Sequence, residues 1–243
     1  MKAMILAAGI GTRLKPLTDN RPKCLMPLAG RPLIEWTLGW LKEHGVTECI
    51  INLHYLPEQI KDWVGDGSRF GMAVHYSFEP VLLGTAGAVK KVANFFDEPF
   101  YLIYGDNFSQ WNLRELKNVF EYRHPMAVMA VHWREDVTQS GMIKMAADGQ
   151  IVKIIEKPKM EDVTSHYVNA GFFFMDPGIF QFIPPEQYCD FSYDVFPRVL
   201  QADRNMYAVK MDEPIIGIDT LEAYKIANVL AEMIPSGLNN KGR

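Results

Sequence analysis

The chain is short of cysteine. Cys24, Cys49 and Cys189 are spread along 243 residues. They are odd in number and contain no CxxC pair, so no disulfide frame or zinc site is readable, and reduced thiols are expected. Nor do His44, His54, His75, His124, His132 and His166 stand at metal-ligand spacing. No apolar run approaches the roughly 20 residues that span a bilayer. The opening MKAMILAAG is too short an apolar run for a signal peptide and leads directly into charge. Excess positive charge is missing as well. A net charge of −4 argues against a general nucleic-acid or membrane-surface binder, and a soluble, cytoplasmic protein is expected. Two phosphate-loop strings also fail. GxxxxGK[ST] does not occur, and GxGxxG would need glycine where Leu14 stands.

What is present is a large apolar fraction, 48% of residues, enough to bury a sizeable core. Repeats, low-complexity tracts and linkers do not appear, so one compact domain over residues 1–243 is expected. The most informative stretch is ILAAGIGTRLKPLTDNRPKCLMP, from Ile5 to Pro27. It reads as a buried strand running into a glycine-containing loop. Gly9 and Gly11 let backbone approach a ligand and offer N–H groups to phosphate oxygens. Arg13 and, ten residues on, Lys23 supply fixed positive charge to a polyanion.

This stretch resembles the signature of sugar-1-phosphate nucleotidylyltransferases, LxxGxGTRLxPLTxxxPKPLxP, and departs from it chiefly at Cys24, where the family has proline. The resemblance implies a Rossmann-like three-layer α/β/α fold with a mostly parallel central sheet and a small antiparallel lobe. It implies a nucleotide-binding half over about 1–125 and a sugar-binding half over about 126–235. The implied substrates are a nucleoside triphosphate and a sugar 1-phosphate, with Mg²⁺ as cofactor; association of identical chains stays open. The nucleotide would lie on Leu6, Ala8, Gly9, Gly11, Thr12 and Arg13, with Arg13, Lys23 and Asp106 carrying the chemistry.

The pattern downstream agrees. Pro32 to Leu41 and Pro57 to Val64 read as helices; Cys49 to Leu53 and Ala73 to Tyr76 read as strands. Together they form a β-α-β-α-β series. Glu79 and Leu83-Gly84-Thr85-Ala86-Gly87 resemble the base-recognition loop of guanylyl-transferring members. A carboxylate at Glu79 can accept two hydrogen bonds from guanine, and Gly84 and Thr85 would meet the flat base. Mannose 1-phosphate follows from that likeness; uridylyl, cytidylyl or thymidylyl transfer to another sugar phosphate is the alternative. Phe100 to Gly105 is the most strand-like run, and Asp106 at its end matches the family's metal-binding aspartate.

From Gly141 onward the pattern changes to short strands, Gly141–Met145, Ile151–Glu156 and Tyr167–Met175, expected to cover the sheet's open end. Glu156-Lys157-Pro158 matches the EKP motif that binds sugar hydroxyls and sugar phosphate. Ser140-Gly141 and Asn169 resemble sugar-facing positions. Phe191 to Leu200 reads as a structural helix, Ile215 to Asp219 as a strand, and a closing helix stacks Ala223, Ala227, Leu230 and Ile234. Ser236 to Arg243 reads as frayed. Most relatives carry the second metal-binding aspartate at the place of Gly217. Here Asp219 stands two residues later, on the same strand face if the strand continues. Two rivals remain open: a non-catalytic sugar-nucleotide sensor and a dinucleotide-dependent oxidoreductase.

Overall fold

The computed structural model describes residues 1–234, so the tail from Ser236 lies outside the described residues. Five strands and four helices alternate first: β1 (Lys2–Leu6), α1 (Leu33–Glu43), β2 (Glu48–Leu53), α2 (Pro57–Val64), β3 (Ala73–Phe78), α3 (Gly84–Lys91), β4 (Phe100–Tyr104), α4 (Arg114–Arg123) and β5 (Ala127–Trp133). Then come β6 (Gly141–Met145), β7 (Ile151–Glu156), β8 (Tyr167–Met175), α5 (Phe196–Gln201), β9 (Met206–Lys210) and α6 (Leu221–Met233).

These nine strands join one sheet, in the order β7-β6-β8-β4-β1-β2-β3, with β5 on the far edge of β8 and β9 beside β5. Strands β4, β1, β2 and β3 run parallel. The three short strands are antiparallel, as expected, but they do not form a separate cover. β8 pairs with β4 through Phe172 to Met175 and with β5 along its other edge. Its long apolar run is buried on both faces, so it continues the sheet rather than capping it.

Alternation along the strands decides the layers. Ala3 and Ile5 pack with Ile34, Leu38 and Leu41 of α1, Ile60 of α2 and Leu116 of α4. Met4 packs on the opposite face with Ala88 and Val89 of α3 and Phe196 and Val199 of α5. Neighbouring residues on a strand point to opposite faces, and helices cover both. A third cluster joins Leu14, Leu28 and Trp36 to Ala227 and Ala231 of α6. Tyr224 Oη donates to the Pro27 carbonyl at 2.6 Å, and the Ala29 N–H to Asn228 Oδ1 at 2.8 Å. These bonds hold the C-terminal segment onto the N-terminal loop.

Two local readings need correction. The helix expected over 191–200 begins as a π-helical turn, Phe191–Val195, before α5. Asp190 causes this start, because its carboxylate accepts from the Ser192 and Tyr193 N–H groups. The strand expected over 215–219 is only Ile216–Gly217, paired with Asn107–Phe108.

Candidate active site

Leu6, Asn52 and Tyr104 lie side by side across the sheet, at or next to the carboxyl ends of β1, β2 and β4. Parallel α/β sheets bind ligands beyond those ends, and a cavity of about 370 Å³ opens there. Leu6, Ala8, Gly9, Gly11, Thr12 and Arg13 line it. The two glycines are required for different reasons. Gly11 sits at φ 70°, a conformation that strains any side chain. At Gly9 an added Cβ would meet no atom within 4 Å, so its backbone faces open space that a ligand group can fill.

Lys23 enters from a short 3₁₀ turn, Lys23–Leu25. Its side chain is 9% exposed, and Nζ lies 2.7 Å from Asp106 Oδ2 and 2.5 Å from Asp219 Oδ1. A buried ammonium needs such partners. Arg13, by contrast, is 70% exposed and touches Asp219 Oδ1 at 2.9 Å. Asp219 does not arrive by strand alternation. Its N–H bonds the Gly217 carbonyl at 2.9 Å, and the Ile218 N–H bonds the Asp106 carbonyl at 2.8 Å. A tight turn therefore delivers the carboxylate. A Cβ on Gly217 would lie 3.7 Å from Asp219 Oδ2, so Asp219 fills the space beside the expected position.

Asp106 and Asp219 converge, since an oxygen of each lies within 2.7 Å of one nitrogen. Mg²⁺ takes one or two carboxylates and completes its shell with phosphate oxygens and water, so the two residues fit such an ion. Among the described residues no group of three or more His, Cys, Asp or Glu gathers, and an all-protein metal cage is not offered there.

Asn52, Leu82, Gly84 and Thr85 line the cavity, and Glu79 does not. Glu79 is 1% exposed. Its Oε1 accepts from Asn52 Nδ2 at 2.8 Å and its Oε2 from the Leu83 N–H at 2.9 Å. Both carboxylate oxygens are thus bonded inside the wall. Packing requires Gly84: at φ 75° an added Cβ would come 2.5 Å from the Cys189 carbonyl oxygen. The Thr85 hydroxyl is likewise engaged, donating to Asp190 Oδ2 at 2.8 Å and accepting from the Phe191 N–H at 2.9 Å.

Gly141, Glu156 and Asn169 come together, although none lines this cavity. Gly141 pairs with Glu156 across β6 and β7. A Cβ at Gly141 would lie 2.6 Å from Glu156 Oε2 and 3.8 Å from Asn169 Cβ. Asn169 Oδ1 accepts from the Gly171 N–H at 2.7 Å. Burial first, and then the charge of Asp190, raise the Glu156 carboxyl above the ordinary carboxylate value. Lys157 follows at φ 48° with its side chain exposed. Cys24, at the departure from the signature, lines the cavity but is inert: burial pushes its thiol up to about 12.

Sequence reasoning missed Asn52, Tyr188 and Asp190, which all line the cavity. A polar residue at the end of an apolar strand was the available sign for Asn52. Asp190 and Tyr188 precede a stretch read as structural, and no local sign marks them.

Comparison with known proteins gives a consistent result. A family model described as nucleotidyl transferase matches residues 2–215. A UTP–glucose-1-phosphate uridylyltransferase from Synechocystis is 32% identical over 238 residues, covering 92% of this chain and 61% of its own length. A rice sequence named for mannose-1-phosphate guanylyl transfer is 33% identical over 215 residues, covering 86% of this chain and 58% of its own. The chain thus spans about three fifths of the length of these relatives. A solved Bacillus anthracis structure named for glucose-1-phosphate thymidylyl transfer superposes with a TM-score of 0.89 at 24% identity, covering 99% of each chain.

Proposed function

Because the chain belongs to the nucleotidyl transferase family, we propose that it joins a nucleoside triphosphate to a sugar 1-phosphate, giving an NDP-sugar and pyrophosphate. The observation that carries this is the convergence of Lys23, Asp106 and Asp219 beside the open backbone of Gly9. Residues of the first 125 positions hold the nucleotide, and Gly141, Glu156, Lys157 and Asn169 hold the sugar phosphate.

An anionic oxygen of the sugar 1-phosphate attacks the α-phosphorus. A new P–O bond forms while the bond to the bridging oxygen breaks, and the electron pair leaves with pyrophosphate. The attacking oxygen is already ionised at neutral pH, so no protein base or nucleophile is needed. The barrier lies in bringing two polyanions together, which makes positioning and charge neutralisation the work of the site. The loop amides from Gly9 to Arg13 take triphosphate oxygens. Arg13 neutralises charge growing on the leaving pyrophosphate. Lys23 turns from its carboxylates to the phosphates, and Lys157 holds the sugar phosphate. Asp106 and Asp219 would hold Mg²⁺, which when bound supplies Lewis-acid charge neutralisation at the phosphates.

For the base we propose uracil. Guanine, with mannose 1-phosphate as its companion, rests on a free carboxylate at Glu79, and both of its oxygens are bonded within the wall. The imide of uracil, an edge that thymine shares, presents acceptor, donor and acceptor; the Leu83 peptide groups are bonded to Glu79 and Cys189, and those of Leu82 can meet it without a charged side chain. For the sugar we propose an aldose that carries no further negative charge, because burial and the charge of Asp190 already disfavour the Glu156 carboxylate.

The test is a matrix of UTP, GTP, CTP, dTTP and ATP against sugar 1-phosphates, scored by pyrophosphate release. No release with any pair would favour a sensor instead. Release with GTP and mannose 1-phosphate alone would overturn the uracil reading.

A further inference from the structure

Ala7, Asn52, Glu79 and Leu83 form a single hydrogen-bonded chain between two loops. The Ala7 N–H donates to Asn52 Oδ1 at 2.7 Å. Asn52 Nδ2 donates to Glu79 Oε1 at 2.8 Å, and Glu79 Oε2 accepts from the Leu83 N–H at 2.9 Å. One end begins the phosphate loop; the other ends the wall where Leu82 and Gly84 line the cavity. The polarity is forced. A backbone N–H can only donate and a carboxylate can only accept, so the amide has one usable orientation. Asn52 and Glu79 are 4% and 1% exposed, so a lost partner is costly to leave unmet. His54 Nδ1 lies 2.7 Å from the Glu79 carbonyl oxygen and clamps the same turn from behind.

We infer that Asn52 and Glu79 are a positioning pair that sets the gap between the phosphate loop and the base wall, and so decides which nucleobase fits. This rests on the nucleotidyl-transfer reading of the cavity, but not on which base is preferred. Glu79 acts through the Leu83 backbone and touches no substrate.

The chain has a symmetric alternative that makes the inference testable. Exchanging the two groups, Asn52→Asp with Glu79→Gln, keeps every donor opposite an acceptor. The new carboxylate at position 52 accepts from Ala7 and from the new amide at position 79, whose oxygen accepts from Leu83. Either single change breaks the chain. Glu79→Gln sets a donor against a donor at one of its two partners, and Asn52→Asp sets two carboxylates face to face. A buried polar group left mismatched costs enough for about a tenfold effect.

The experiment measures kcat and KM for each NTP in the wild type, both single variants and the double variant, with thermal melting alongside. Each single variant should raise KM for the preferred NTP about tenfold, with kcat and the sugar-phosphate KM little changed. Each should also flatten the ratio of kcat/KM between NTPs. The double variant should recover KM and the selectivity ratio to within about threefold of wild type, since the lost bonds are remade. Additive losses in the double variant would overturn the inference and point to Glu79 reading the base by its charge. If a single variant does not fold, the double decides: a folded, selective double supports the pair, and an unfolded one overturns it. A wild-type preference for GTP would defeat the uracil reading alone, because the exchange reads selectivity for whichever base is favoured.

Discussion

Lys23 Nζ sits between Asp106 and Asp219, 2.7 Å from an oxygen of one and 2.5 Å from an oxygen of the other, at the point where the two carboxylates would share a divalent cation. In the free chain the ammonium does the neutralising. Changing Lys23→Met removes it while keeping the bulk. Turnover should fall by about a hundredfold or more, the scale of losing one preorganised charge contact. Mn²⁺ affinity, read by electron paramagnetic resonance without nucleotide, should rise, because the carboxylates lose their internal competitor. Unchanged Mn²⁺ affinity would place the ion elsewhere.

Arg13 is exposed and bonds only one of these carboxylates. Exposed ion pairs contribute roughly 0–1 kcal/mol. Arg13→Ala should therefore melt close to wild type yet lose most turnover in a pyrophosphate-release assay. Near-normal turnover in that variant would remove Arg13 from the chemistry.

Gly9 and Gly84 should respond in opposite ways to alanine. At Gly84 the new methyl meets the Cys189 carbonyl at 2.5 Å and φ is 75°. Gly84→Ala should cost about 2 kcal/mol of stability or more, seen as a lowered denaturant midpoint. At Gly9 there is room, so the fold should tolerate Ala. There the cost should appear as a raised KM for NTP, because the methyl occupies ligand space.

Glu156 gives a pH signature. Burial and Asp190 raise its carboxyl above the ordinary value of 4.5. The folded chain therefore holds this proton more tightly than the unfolded chain, and stability falls as pH rises from about 4.5 through the raised value. Glu156→Gln should flatten that part of the melting-temperature profile. It should also raise KM for the sugar phosphate and leave KM for NTP unchanged. An unaltered profile would mean that burial and Asp190 do not strain the carboxyl.

Local pattern was enough to place most of this molecule. α2 and the strands β6 to β8 fall where periodicity put them, because alternation and turn residues act over a few positions. The loop of Gly9, Gly11, Arg13 and Lys23 was legible for the same reason: its residue types and spacing lie within one short stretch. The walls were not. Asn52 meets Glu79 across 27 positions, Thr85 meets Asp190 across 105, and Lys23 meets Asp219 across 196. A carboxylate at Glu79 can face a base or brace a loop with equal ease. Only the folded chain shows it buried against an amide and a peptide N–H.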